Sequence, residues 1–209
     1  MRLALLLGVA AALGLSCCQQ LSAAAPRFTA AIESVRWDDL RWSYREGCPV
    51  PPAGLRTVRV SYWDFAAKPQ EGRIVVARGQ AANVVAVFRK LWAARFPIRK
   101  LQPVSAYRGS DDRSMAADNT SGFNCRFVGG TKRWSMHAYG LAIDVNPVEN
   151  PYVRGSTVSP AAGRAYLDRS RYRKGMAVRG GVLVRAFVSV GWKWGASFGD
   201  YQHFSTTGR

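Results

Sequence analysis

The feature that most constrains this chain is the placement of its histidines. The sequence contains only two, His137 and His203, and each has a carboxylate nearby, Asp144 in the first case and Asp200 in the second. Two imidazoles and a carboxylate suit a divalent zinc ion, and three protein ligands leave the fourth tetrahedral position open, as in catalytic zinc sites. We therefore predict a fold that brings the two segments together, with zinc on His137, Asp144 and His203.

The spacing within each segment predicts a local turn. His137 and Asp144 are seven residues apart, which places them on a common face of neither a helix nor a strand, so Gly140 is expected to turn the backbone between them. Asp200 and His203 are three apart and would point to opposite faces of an ideal strand. A turn is therefore required there as well.

Asp200 is left over once the three ligands are assigned. A carboxylate beside the open coordination position is placed to act as a general base toward a water, and the implied reaction is hydrolysis of an amide. The alternative is that the histidines are ordinary core or surface residues and that Asp144 caps a turn.

The first two dozen residues have the organisation of an export signal. Arg2 precedes an apolar block from Leu3 to Leu15, and small residues follow through Ala25, as in a signal peptide. The block is too short for a stable transmembrane helix. We predict that residues 1–25 are a leader and that the protein is exported, with a lipid anchor on Cys17 as an alternative fate.

Outside the leader the chain has two cysteines, Cys48 and Cys125. In an oxidising compartment such a pair usually forms a disulfide. This bond would tie an N-terminal arm, residues 26–54, to the segment before His137. Two buried thiols are the alternative.

The hydrophobic pattern predicts an α+β domain with an antiparallel sheet and helices packed to one side. Alternation predicts neighbouring strands at Thr57 to Trp63 and Arg73 to Ala77, and helical spacing predicts a helix from Ala81 to Arg95. The remaining predictions are strands at Leu101 to Tyr107 and Gly140 to Asn146, short helices at Pro160 to Arg169 and Gly181 to Val190, an irregular arm from Arg27 to Pro52, and a long ordered loop from Ser114 to Arg126.

The formal net charge of +17 predicts attraction to polyanions. The basic residues are scattered and no recognition motif is present, so we do not expect specific nucleic-acid binding. Anionic wall polymers and the carboxylates of peptidoglycan stem peptides fit the charge as well. A non-catalytic cell-wall or polyanion-binding module that keeps a structural zinc site is the alternative function.

The two histidine segments carry a resemblance to a known family. Ser-x-His-x-x-Gly-x-Ala-x-Asp runs from Ser135 to Asp144, and acidic-x-x-His-Phe runs from Asp200 to Phe204. This pair of motifs resembles the VanY-like D-alanyl-D-alanine carboxypeptidases, within the zinc peptidoglycan peptidases of the lysostaphin, D-Ala-D-Ala peptidase and hedgehog group. The resemblance covers roughly Leu55 to Phe204 and implies a zinc peptidase domain over residues 55–209, with a hedgehog/D-Ala-D-Ala peptidase-like fold.

The resemblance also implies roles. The implied zinc ligands and base are His137, Asp144, His203 and Asp200, and the substrate is a peptidoglycan stem peptide, cut either at a terminal D-alanine or internally between L-alanine and D-glutamate. Ser135 would contact substrate or ligand. An upstream arginine would hold a substrate carboxylate or carbonyl: Arg108 matches the usual aromatic-Arg setting, and Arg126 is its rival. Many relatives have Glu at the position of Asp200. We expect a monomer that acts outside the cell and touches a membrane only through its leader or lipid anchor.

Overall fold

The computed structural model describes residues 25–208 and shows a mixed α+β fold with antiparallel sheets and few helices, as predicted. The predicted leader, with Cys17, lies outside these residues apart from Ala25. The strands are β1 (Ala30–Ser34), β2 (Leu55–Trp63), β3 (Pro69–Ala77), β4 (Lys100–Leu101), β5 (Asn119–Thr120), β6 (Ala142–Asp144), β7 (Tyr152–Arg154), β8 (Thr157–Ser159), β9 (Lys193–Trp194) and β10 (His203–Ser205). The α-helices are α1 (Trp37–Leu40), α2 (Ala81–Ala93), α3 (Asp111–Ala116) and α4 (Val182–Val188). None of these helices is long and apolar enough to cross a membrane.

The first sheet has the antiparallel order β1-β2-β3 and carries core packing on both faces. Because side chains alternate along a strand, Ile74 and Val76 of β3 enter the main core with α2, while Val75 between them enters a second core with Leu40 of α1. The two predicted strands are confirmed as neighbours. The helices are not all on one side, however, since α2 and α4 pack on one face and α1 on the other.

Helix α2 confirms the prediction for Ala81 to Arg95, with its end at Ala93. Val84, Val87, Phe88 and Leu91 recur at helical spacing and are all buried against the first sheet. Burying side chains of this size stabilises the fold by roughly 1.5–3 kcal/mol each. This stripe attaches the helix to the sheet.

The second sheet has the order β6-β10-β9, with all pairs antiparallel. Phe204 of β10 lies opposite Ile143 of β6, and both are fully buried in the main core. The next pair along the ladder is His203 opposite Asp144. Since neighbouring residues of a strand face opposite sides, the packing of Phe204 and Ile143 turns His203 and Asp144 together toward the other side of the sheet.

Several predictions for the middle of the chain were wrong in type or extent. The predicted strand from Leu101 to Tyr107 is a strand only at β4 and continues as a 3-10 helix, Val104–Tyr107. Pro103 separates the two, since proline has no N–H for a strand ladder. The predicted helix at Pro160 to Arg169 is a 3-10 helix, Ala161–Tyr166. The loop predicted from Ser114 begins inside α3 and passes through β5.

The N-terminal arm is part of the first sheet and is not irregular throughout. Its strand β1 pairs along its whole length with β2. The arm is also attached by a disulfide between Cys48 and Cys125, with Cα atoms 5.9 Å apart, as predicted. The bond joins residues separated by 77 positions and fixes the segment that leads into the first histidine motif.

Gly140 occupies a position that excludes a side chain for two reasons. Its φ is 66°, in the left-handed region, and an added Cβ would lie 2.5 Å from the backbone nitrogen of Ala77. The Gly140 carbonyl accepts a hydrogen bond from that same N–H at 2.9 Å. The contact joins the first histidine motif to the end of β3.

We expect Gly140→Ala to lower the free energy of unfolding by more than the roughly 1–3 kcal/mol of backbone strain alone. Gly130→Ala is the matched control, because Gly130 also has a positive φ, 72°, but has no atom within 4 Å of the added Cβ. Denaturant unfolding of both variants measures the difference. Equal losses would contradict a steric role for the contact with Ala77.

Candidate active site

His137 is presented by a short 3-10 helix, Met136–Tyr139, that is fixed at both ends. Ser135 caps its start, since the Ser135 hydroxyl accepts the His137 backbone N–H at 3.3 Å, and Gly140 ends it. The Nδ1 atom of His137 lies 2.7 Å from the carbonyl oxygen of Gly122. A hydrogen bond there requires Nδ1 to carry a proton, so Nε2 is the nitrogen that faces the cluster and that would bind a metal once it has lost its own proton.

The three predicted ligands converge on one point, and all three are buried. His137 Nε2 lies 3.1 Å from Asp144 Oδ2, His203 Nδ1 lies 3.0 Å from Asp144 Oδ1, and the two ring nitrogens are 3.3 Å apart. Ligand atoms bound tetrahedrally to zinc are about 3.3 Å apart, given bonds of about 2.0–2.1 Å. The donor set and its spacing therefore fit a divalent metal ion such as zinc.

Asp144 is prepared for the charged form that a metal ligand needs. Burial alone would raise the pKa of its carboxyl. In the metal-free protein, His137 and His203 outweigh burial, because their positive charges and hydrogen bonds hold the pKa of Asp144 well below its ordinary value. A buried carboxylate between two imidazoles is stable only with such positive partners.

Asp200 lies beside the ligands, at the turn that the spacing required. Gly199 precedes it with a φ of 79°, and His203 starts β10 three residues later. The Asp200 Oδ1 atom is buried and has no hydrogen-bond partner among the described residues. Burial raises the pKa of Asp200 to about 7, and the negative charge of Asp144 adds to the effect, while the histidines and Arg126 oppose it.

The turn after Asp200 is held by residues that the sequence did not reveal. Trp194 Nε1 donates to the Tyr201 carbonyl at 2.8 Å, and the Arg169 guanidinium lies over the Tyr201 ring, 4.7 Å from its centre. Trp194 is thus a support of the turn as well as part of the core. These contacts set the distance between Asp200 and His203.

The two candidate arginines lie in different surroundings. Arg126 is partly buried, its Nη2 lies 2.8 Å from Asp111 Oδ2, and its charge lowers the pKa of Asp200. Arg108 is exposed, ends the 3-10 helix Val104–Tyr107 with a φ of 54°, and forms no ion pair with any described residue. Arg126 therefore lies within electrostatic range of Asp200, and Arg108 is not among the main charges that shift the pKa of Asp200.

Further polar groups near His137 have no partner within residues 25–208. Asn124 donates its backbone N–H to the His137 carbonyl at 3.1 Å, and its side-chain Nδ2 is buried and unpartnered. The Nε of Arg126 and the Oε1 of Gln202 are in the same state. The signal in the sequence was the aperiodic polar stretch before Arg126, which predicted an ordered loop without identifying Asn124 or Gln202.

A cavity of about 650 Å³ lies elsewhere, between α2 and α4. Its walls are apolar with basic residues, among them Val182, Val188, Lys90 and Arg185, and none of the predicted site residues lines it. We do not take this cavity as the active site, because a site of reaction needs groups that bind charge or transfer protons, and the His-Asp-His cluster supplies them.

The fold and the cluster together indicate a class of protein. Two imidazoles and a carboxylate surround one point in an α+β domain, and a second carboxylate lies beside them. This is the arrangement of metal-dependent hydrolases. Residues 129–206 match a peptidase family model described as D-alanyl-D-alanine carboxypeptidase. The match confirms the resemblance to the VanY-like peptidases over these residues and indicates a peptidoglycan peptidase. No curated protein and no solved structure gave a significant match to the chain.

Asp118 and Glu149 form a buried acidic pair. Arg99 donates Nε to Asp118 at 3.3 Å and Nη2 to Glu149 at 3.2 Å, and the Tyr166 hydroxyl donates to Glu149 at 3.4 Å. Burial, together with the hydrogen bond to Asp118 and the charge of Asp118, raises the pKa of Glu149 to about 7 against the opposing hydrogen bond from Arg99. Folded protein therefore holds this proton to a higher pH than unfolded protein does.

The stability of the fold should fall between about pH 4.5 and pH 7 through this group. In that range the folded state keeps a proton that the unfolded state has released, so unfolding becomes easier by about 2–3 kcal/mol as the pH rises. Glu149→Gln should remove this contribution, and the exposed Glu46→Gln should not. Denaturant unfolding at pH 5 and pH 7.5 measures it. Parallel pH profiles for wild type and Glu149→Gln would contradict the prediction.

Proposed function

We propose that the protein is an exported, zinc-dependent peptidase that hydrolyses a peptide bond in the peptidoglycan stem peptide. The observation that carries the proposal is the convergence of His137, Asp144 and His203 within 4.8 Å, with the unpartnered Oδ1 of Asp200 beside them. The family match over residues 129–206 contains all four residues. We take residues 55–209 as the catalytic domain, of the hedgehog/D-Ala-D-Ala peptidase type, with the arm 26–54 completing its first sheet through β1.

His137, Asp144 and His203 would hold the zinc ion. When bound, the ion supplies Lewis acidity toward the scissile carbonyl and makes a nearby water more acidic. The protein's contribution is to keep the three ligand atoms in place before the ion arrives, through the Gly122 carbonyl for His137 and the β6–β10 pairing for the other two.

Asp200 is the proposed general base. Its carboxylate takes a proton from the attacking water and returns it to the leaving amine, so one residue serves both halves of the reaction. A positive ion on the neighbouring ligands would favour the charged carboxylate and oppose the rise in the pKa of Asp200 that burial causes.

Arg126 is the proposed anchor for a substrate carboxylate or carbonyl. Its link to Asp200 and its buried, unpartnered Nε support it over Arg108, because a guanidinium must reach the same cleft as the base to orient the substrate. Ser135 has a mainly structural role in this proposal. Its hydroxyl caps the 3-10 helix that carries His137, so we propose that Ser135 chiefly positions this ligand and that contact with substrate is secondary.

Digestion of purified muropeptides with mass analysis of the products tests the proposal. Release of the terminal D-alanine by the zinc-loaded protein, with loss of release after chelation, is the expected result. Internal fragments cut between L-alanine and D-glutamate would identify an endopeptidase and keep the rest of the mechanism. Absence of any stem-peptide product from the zinc-loaded protein would overturn the proposed function.

The net charge of +17 favours one other function, a non-catalytic module that binds anionic wall polymers and keeps the metal for structure. Such a module would bind wall polymers equally well with Asp200 or with asparagine at that position. Export fits both functions, because the Cys48–Cys125 disulfide suits an oxidising compartment and a cell-wall peptidase acts outside the cell. We propose a monomer in either case.

A further inference from the structure

Helix α3 contacts the candidate site on two sides. At its start, Asp111 Oδ2 lies 2.8 Å from Arg126 Nη2. One turn further on, Met115 Sδ accepts a hydrogen bond from Gln202 Nε2 at 3.4 Å. Gln202 lies between Asp200 and His203 in the chain. The helix therefore touches both the proposed substrate anchor and the turn that carries the base.

The ion pair between Asp111 and Arg126 leaves part of the arginine available. Arg126 Nη1 reaches only the Phe127 carbonyl, at 3.5 Å and so at the limit of a hydrogen bond, and its Nε is buried without a partner among the described residues. A guanidinium carries five N–H donors in a rigid fork. Asp111 therefore fixes the fork at one nitrogen, and most of its donors remain for another acceptor.

An ordinary surface ion pair would not explain this arrangement. Exposed pairs contribute little to stability and restrict two long side chains, whereas Arg126 and Asp111 are only 32% and 23% exposed. Holding an arginine in one rotamer before binding removes the entropic cost of ordering that side chain from the binding step. A carboxylate that orients a substrate-binding arginine therefore increases the affinity for substrate without touching the substrate.

The helix is itself well fixed. The Ser110 hydroxyl caps its start by accepting the Arg113 N–H at 3.2 Å, and Asn119 Nδ2 donates to the Ser114 hydroxyl at 3.0 Å. Asn119 also accepts the Gln102 N–H at 2.9 Å, which ties β5 to the chain after β4. Asp111 therefore extends from a short element that is held on two sides.

We propose that Asp111 is a positioning residue that holds the Arg126 guanidinium in the orientation that receives the C-terminal carboxylate of the substrate. The inference rests on the proposed function and deepens it, since it adds a residue that acts through Arg126 and does not touch substrate. It predicts that Asp111 affects substrate binding much more than turnover, and only for substrates that carry the carboxylate.

Two peptides that differ at one end test the proposal: an acetylated peptide that ends in D-Ala-D-Ala with a free carboxylate, and the same peptide with a C-terminal amide. For Asp111→Asn we expect KM for the free carboxylate to rise about tenfold, with kcat within about twofold of wild type. KM for the amide should stay unchanged. Asp111→Glu, which keeps the charge on a longer side chain, should recover part of the loss. Asp112→Asn is the matched control, because Asp112 is exposed on the same helix turn and forms no ion pair with a described residue.

Calorimetric binding of the same two peptides to zinc-loaded protein with Asp200→Asn makes the result independent of turnover. Adding Asp111→Asn should weaken the Kd of the free carboxylate about tenfold and leave the Kd of the amide unchanged. Equal effects on both peptides, no difference from Asp112→Asn, or no binding of the carboxylate peptide to either protein would overturn the role of Asp111. Wild type that binds the peptide in an Asp111-dependent way but yields neither D-alanine nor an internal fragment from stem peptides would instead overturn the proposed function.

Discussion

His203→Ala is expected to abolish stoichiometric zinc binding and to lower stem-peptide hydrolysis by roughly a thousandfold, which equals about 4 kcal/mol of transition-state stabilisation. His203 Nδ1 is one of three donors at the cluster, and the chain has no third histidine that could replace it. Two remaining ligands, His137 and Asp144, would hold zinc too weakly and in the wrong geometry for catalysis.

Metal analysis after dialysis and the thermal unfolding of apo and zinc-loaded protein measure this effect. Zinc should raise the unfolding temperature of wild type, because a ligand that binds only the folded state stabilises it. The same addition should not change the variant. His203→Gln serves as a second variant that fills more of the space of the ring. Full zinc stoichiometry in both variants would show that His203 is not a ligand.

Asp200→Asn is expected to lower kcat by about 10²–10⁴-fold while leaving zinc content and stability close to wild type. Asparagine keeps the shape of the side chain but cannot take a proton from water. The unpartnered, buried Oδ1 suggests that no structural hydrogen bond is lost by the change. Replacing Asp200 with glutamate should retain part of the activity, since glutamate keeps a carboxylate that can accept the proton.

Steady-state hydrolysis and metal content, measured together, check the role of Asp200. Asp168→Asn is a control for removal of one negative charge, because Asp168 is exposed and its side chain bonds with Ser170 and the backbone of Arg171, away from the candidate ligands. Unchanged kcat in Asp200→Asn would exclude it as the base. If wild type also lacked turnover but bound wall polymers, the binding-module alternative would stand.

The site was more predictable from the sequence than its surroundings were. His137, Asp144 and His203 could be grouped because histidine is so rare in this chain and because glycines mark the turns that the spacing requires. Strands β2 and β3 and helix α2 were predictable because each is long enough for its hydrophobic period to repeat.

Several short helices and strands were not predicted, because their local sequence patterns are weak and their formation depends on contacts with distant parts of the chain. Strand β1 has five residues and stays at the edge of its sheet, so its alternation is no clearer than that of a loop. Helix α3 begins after the Ser110 cap but has only six residues, too few for a helical hydrophobic period to repeat. The pairing of Asp111 with Arg126 depends on how α3 packs on the loop, which no local pattern in the sequence encodes.

The position of β10 in the second sheet has a consequence for when the candidate site can form. β10 is the central strand of that sheet, yet it is the last strand of the described chain to be synthesised. Until residues 203–205 are available, β6 and β9 have no partner between them, and Asp144 lacks the imidazole opposite it. A chain that ends before residue 203 therefore lacks the His137–Asp144–His203 cluster, which is complete only once the last strand has paired.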